Sequence, residues 1–164
     1  MTIPQQSALR EYAKGAYFSD SFSVTTARKN KVALDIFIEM AQEMPSWISF
    51  LMDRRNQIVS KLGLKNLGRF QDLKPGKTAN AYKPGDRVGI FTLISSTDDE
   101  AIFEDSDKHL DVRVSILRDV SGDKETIHAT TVVHIHNMLG RLYMFPVIPI
   151  HKLIVPASLK TLTK

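Results

Sequence analysis

From His109 to Ile116 the chain alternates polar and apolar residues without a break. His109, Asp111, Arg113 and Ser115 form one set, and Leu110, Val112, Val114 and Ile116 form the other. A period of two is that of a β-strand with one buried face. Ser121-Gly122-Asp123 then signals a turn, and Glu125–Asn137 alternates again. There His128, Thr130, Val132, His134 and His136 share one face, and Ile127, Ala129, Thr131, Val133 and Ile135 the other. Strands joined by a short turn pair antiparallel, so two apolar half-faces come together and must be covered by helices. The polar set is then expected to look outward, where Asp111 and Arg113 meet Thr130, His134 and His136.

Around this pair the chain reads as an α+β domain. Tyr17–Val24 alternates, with Phe18, Phe22 and Val24 on one side, and two further strands are expected at Val88–Ser95 and Glu100–Glu104. Thr25 and Thr26 are candidate N-caps for a helix over Ala27–Met44, whose Ala33, Phe37, Met40, Ala41 and Met44 follow helical spacing. Pro45 ends that helix and suits the start of a second one running to Leu62. Trp47, Leu51, Ile58 and Leu62 make its apolar stripe, expected to pack inward, and Gly63 its left-handed stop with Leu64 packing back. The stretch 63–86, with Pro75-Gly76 and Pro84-Gly85-Asp86, is a long loop of the kind that edges binding sites. Met138–Leu162 reads as a helix broken by prolines, its last regular part starting at Pro149. Residues 1–14 read as a flexible, untied terminus with one helical turn near Ser7–Lys14. The expected architecture is a curved antiparallel sheet with an N-terminal helix pair and a C-terminal helix packed across it.

A chain of 164 residues fits a single domain, 1–164. With 43% apolar and 24% charged residues its composition is that of a soluble globular protein. The absence of cysteine excludes disulfides, thiolate metal sites and thiol nucleophiles, and agrees with a cytoplasmic location. Met1–Asp20 has no apolar stretch of the kind a signal peptide needs. Met138–Val155 is interrupted by Arg141, Pro146, Pro149, His151 and Lys152, so no membrane span is expected. The net charge of +4 is uneven: Arg54–Arg87 holds nine basic residues against Asp72 and Asp86, and Asp98–Asp111 seven acids against Lys108. Only Phe70 and Tyr82 are interleaved with those basic residues, so no nucleic-acid partner is expected and a solvated face is the better reading.

Taken in order, several segments resemble a bacterial family known only as domain of unknown function 2867. They are Ala16–Phe22, Gly89-Ile90-Phe91, Asp107–Ser115, Thr131–His134, Asn137–Tyr143 and Pro149-Ile150-His151. Members are often fused behind a short-chain-dehydrogenase-like NAD(P)-binding domain. This chain has no such domain and no Gly-x-Gly-x-x-Gly, so no nicotinamide role carries over and no cofactor is expected. The family is similar in layout to helix-grip, or START-like, domains. That resemblance implies a cavity between sheet and terminal helix.

Candidate site residues follow from both readings. Trp47, Phe91, Tyr143 and His151, joined by Arg141, are expected around an apolar pocket with few polar groups. His151 reads equally as a helix-start histidine bonded to backbone. Asp111, Arg113 and His134 are the candidates for proton transfer, although cross-strand pairing accounts for them as well. His134 and His136, two apart, can aim two rings the same way, but a third metal ligand rests on conjecture and no metal is expected. There is no Gly-x-Ser-x-Gly elbow and no phosphate loop. The leading expectation is a domain that binds an apolar or amphipathic small molecule. The alternatives are a cyclase-, isomerase- or hydratase-like enzyme in the same cavity, or a homodimeric interaction module.

Overall fold

The computed structural model describes residues 2–164. Its strands are β1 (Phe18–Ala27), β2 (Arg87–Val88), β3 (Phe91–Ser96), β4 (Glu100–Ser106), β5 (Leu110–Ser121) and β6 (Lys124–Ile135). They form one open antiparallel sheet in the order β1-β6-β5-β4-β3-β2. Four α-helices accompany it: α1 (Leu9–Tyr12), α2 (Ala33–Gln42), α3 (Ser46–Ser60) and α4 (Met138–Lys160). The fold is α+β. Leu110, Ile116, Ile127, Ala129 and Val133 are buried on the helix side, as their alternation requires.

Three elements differ from the sequence reading, the first two because a long-range contact outweighs a local signal. Thr25 and Thr26 do not cap a helix. They continue β1, which pairs with β6 from Phe18↔Val133 to Ala27↔Lys124, and the Thr25 hydroxyl lies 2.9 Å from that of Thr126. Ten residues in register satisfy more backbone than one cap can, so α2 starts only at Ala33, without a side-chain cap. The single strand expected over Val88–Ser95 is split at Gly89-Ile90. Gly89 has φ +62°, and a Cβ there would sit 2.8 Å from the Phe70 carbonyl oxygen, so the chain turns where the loop presses on it. The third difference is α4, which runs unbroken through Pro146, Pro149 and Pro156. Each proline frees the carbonyl four residues earlier, in Leu142, Phe145 and Lys152. All three residues are exposed, so water can take those carbonyls.

The N-terminal segment is tied down, contrary to the flexible terminus expected over 1–14. Leu9 is buried with Ile102 and Val132 on the outer face of the sheet. The Ser7 hydroxyl donates to Glu100 at 2.7 Å, and Ala8 N–H donates to the same carboxylate. On the inner face the core lies under α2. Phe37 stacks on Phe103 with ring centroids 4.1 Å apart, Phe91 packs beside them, and Leu159 and Leu162 close the far side. The corner at Pro45 leads into α3, which ends as expected: Gly63 has φ +77°, and Leu64 N–H donates back to Val59 at 3.0 Å.

The stripe of α3 has another destination than the core. Ile48, Asn56 and Val59 are the buried positions, whereas Trp47, Ile58 and Leu62 are 43%, 61% and 56% exposed. The periodicity is real. It marks a face that α2 and the sheet do not cover.

Candidate functional site

Beside the filled core, the inner face of the sheet carries a hollow of about 690 Å³ between β1, β4, β5, β6, α3 and α4. Its floor includes a cross-strand row: Phe18, Val133, Val112 and Asp105 sit opposite one another on β1, β6, β5 and β4. Strands lie roughly 4.8 Å apart, so this row spans about 14 Å. Short side chains at Val112, Val133 and Thr131 keep the floor low, whereas large rings fill the neighbouring space under α2. Ile48, Leu51 and Met52 of α3 make one wall, and Tyr143, Val147 and His151 of α4 the other. Leu64, Leu67 and Phe70 bring the loop 61–86 to its edge.

The two helical walls are held by one guanidinium. Arg55 donates from Nε to the Tyr143 hydroxyl at 3.0 Å, and from Nη1 to Asn56 Oδ1 and the Lys65 carbonyl. Buried Asn56 in turn donates to the Gly68 carbonyl at 2.9 Å. At the other end of α4, Asn137 caps the helix by accepting from Gly140 N–H at 3.0 Å. A second depression of about 600 Å³ lies among Asp53, Gln57, Asn66 and Arg69. Its principal charges already pair with each other, Arg69 donating to both oxygens of Asp53.

A carboxylate of β1 stands among the apolar residues of that strand's inner side. Asp20 has the parity of Phe18 and Phe22, opposite Thr131 in register, and only 8% of it is exposed. Its Oδ1 lies 3.1 Å from Nε2 of His151, while its Oδ2 is buried without a hydrogen-bond partner. The His151 ring meets Phe18 edge-on, with centroids 5.7 Å apart. Thus His151 is not a helix-start residue bonded to backbone; it sits mid-helix and is oriented by a carboxylate at the cavity wall. An imidazole so held can exchange a proton, or hydrogen-bond a ligand, at its second nitrogen. Asp20 received no role from the sequence reading. The signal was its parity: it is a charge on the side of a strand that otherwise carries Phe18, Phe22 and Val24.

The other expected residues divide between the two faces of the sheet. Phe91, Tyr143 and His151 line the cavity; Trp47 and Arg141 do not. Asp111, Arg113 and His134 lie on the opposite face, outside the hollow. Asp111 Oδ2 is 2.9 Å from His136 Nε2, and its other oxygen accepts from the Ser106 hydroxyl. Arg113 donates to Glu104 at 2.6 Å and lies 4.1 Å above the Tyr12 ring. His134 Nε2–H donates to the Tyr12 carbonyl at 2.7 Å. Burial raises the pKa of the Tyr12 hydroxyl, with Arg113 opposing. These groups pair with one another and clamp the N-terminal segment. Among the described residues no three His, Asp or Glu side chains are grouped so as to hold a metal ion.

A family model described as Protein of unknown function (DUF2867) matches residues 12–158. No curated protein and no solved structure matches the chain.

Proposed function

The chain belongs to the family of proteins of unknown function DUF2867, and we propose that it binds an apolar or amphipathic small molecule in the hollow between the sheet, α3 and α4. The observation that carries this reading is the cavity itself, about 690 Å³ and lined mainly by aliphatic and aromatic side chains. Small-molecule sites have roughly 300–1,000 Å³ and a few convergent polar groups. Here those groups are Thr131, Tyr143 and His151, together with the charged Arg54, Arg55, Asp105 and Asp107. A hollow of this size is costly to leave unfilled, because its walls lose dispersion contacts on one side. Native mass spectrometry of freshly purified protein is expected to detect a noncovalent adduct that solvent extraction removes. Val112→Trp, which raises the floor, is expected to lose that adduct while keeping the circular dichroism spectrum. An adduct retained at full occupancy by Val112→Trp would sink the proposal.

A second reading, that the cavity also performs proton transfer of the cyclase, isomerase or hydratase kind, is favoured by the Asp20–His151 pair. It rests on His151 rather than on Asp111, Arg113 or His134, which face the other way. His151→Phe is then expected to keep the adduct but to stop its conversion, read by chromatography and NMR of the extracted molecule, because isomerisation and cyclisation leave the mass unchanged. If parent and variant convert the bound molecule at the same rate, this reading fails.

A further inference from the structure

The outward faces of α3 and α4 do not behave as solvated helix faces. By length and composition Met138–Thr163 could cross a membrane, yet only 17% of its most apolar stretch is buried in the fold. Met138, Leu142, Phe145 and Leu153 are between 66% and 83% exposed along one side of α4. Trp47, Phe50 and Ile58 along α3, and Leu62 just past its end, are between 43% and 61% exposed. Leu142, Phe145, Ile58 and Leu62 also line the cavity, so its mouth opens into this apolar surface. A continuous exposed patch of this kind marks a contact site.

We propose that this face docks on an anionic bilayer surface. Charge selects the partner. There is no acid anywhere in α4, which carries Arg141, Lys152 and Lys160. The only acid of α3, Asp53, is neutralised by Arg69. Among the described residues Arg54, Lys61, Arg141 and Lys152 take part in no salt bridge, and Arg54 lies over the Phe50 ring at 5.1 Å. Apolar residues rimmed by unpaired cations complement acidic headgroups over an acyl layer. A second copy of the chain would instead bring like charges together across the contact.

The helix lies on the bilayer rather than through it. Met144 and Leu159 are buried, and His151 is bonded to Asp20, so turning all sides of α4 to lipid would open the core. In the docked orientation an apolar ligand passes between acyl layer and cavity without crossing water.

Vesicle flotation of the whole chain tests this, with Trp47, the only tryptophan, as an internal probe. Phosphatidylcholine vesicles containing phosphatidylserine are expected to carry the protein and to shift Trp47 emission to the blue; pure phosphatidylcholine vesicles are expected to carry little. Phe50→Asp combined with Leu153→Asp, both outside the cavity lining, is expected to weaken binding about tenfold or more with the fold intact by circular dichroism. Lys61→Gln and Lys152→Gln are each expected to weaken it about fivefold. Absence of flotation, or equal flotation on neutral vesicles, would overturn the proposal. So would a concentration-dependent dimer that Phe50→Asp abolishes without any vesicle binding. Because these positions lie outside the cavity lining, adduct retention by the same variants separates this surface from the ligand reading.

Discussion

A carboxylate on the apolar side of a strand is unfavourable unless it is paired, and Asp20 is paired at only one oxygen. Its partner His151 lies at the cavity wall, so this buried pair stands beside the proposed ligand. Stability and function then pull apart in a measurable way. Asp20→Val alone is expected to leave His151 without its partner and to cost ~1–3 kcal/mol. Asp20→Val combined with His151→Phe removes both polar groups and is expected to be at least as stable as the parent, as for other buried pairs replaced by apolar side chains. Urea denaturation of the parent, both single variants and the double variant gives the coupling. A double variant less stable than either single variant would mean that the pair is kept for the fold.

Among the elements, α3 and α4 are unlike α2. In α2 the periodic apolar residues meet the sheet, and Phe37 interlocks with Phe91 and Phe103. In α3 an equally regular stripe faces away from the core, and the buried side is made by Ile48, Asn56 and Val59. Pro146 and Pro149 of α4 belong to the same outward side, since both are exposed. Pro149 forfeits the bond to the Phe145 carbonyl and strains the turn before it, which costs about 3 kcal/mol in a helix interior. It also restricts the unfolded chain, which returns about 0.4–1 kcal/mol. Pro149→Ala is therefore expected to raise stability by ~2–2.6 kcal/mol, read as a higher urea midpoint at unchanged slope. A lower midpoint would mean that the proline bend is required for α4 to close over the sheet.

At the scale of the molecule, the sheet separates three environments. Its outer face is a paired polar surface under α1, and its inner face is solid under α2 and hollow under α3 and α4. The solid part is held against the β1–α2 connection by Glu39, which receives Lys29 Nζ at 2.7 Å and Lys31 Nζ at 2.9 Å. Partial burial pushes the Glu39 carboxyl up, but the two lysine hydrogen bonds more than offset this and hold its pKa below the ordinary 4.5. The unfolded chain then binds the proton more readily. This contribution is complete above pH 4.5 and is lost as pH falls through the lower folded value. Glu39 is only partly buried, so the effect is ~1 kcal/mol at most. Glu39→Gln is expected to be less stable than the parent at neutral pH and to converge with it in acid. A constant difference down to the acid transition would show that the lysine pairs carry no such linkage.

Much of this was legible in the primary structure. The alternation through His109–Ile116 and Glu125–Asn137 is local, and it determined the strands, their antiparallel pairing and the outward direction of Asp111 and Arg113. Phe91, Tyr143 and His151 could be read as cavity residues because the family resemblance implied a hollow beside the terminal helix. Periodicity tells which residues share a face, not what covers that face. The stripe of α3 could therefore not be known to look outward, nor the floor at Val112 and Val133 to be hollow. Thr25 and Thr26 carried a capping signal that only β6, a hundred residues away, could overrule. The partnership of Asp20 with His151, 131 residues apart, existed only once β1 and α4 were laid side by side. Local chemistry determined the elements; long-range packing decided which of their surfaces became core, cavity or exposed face.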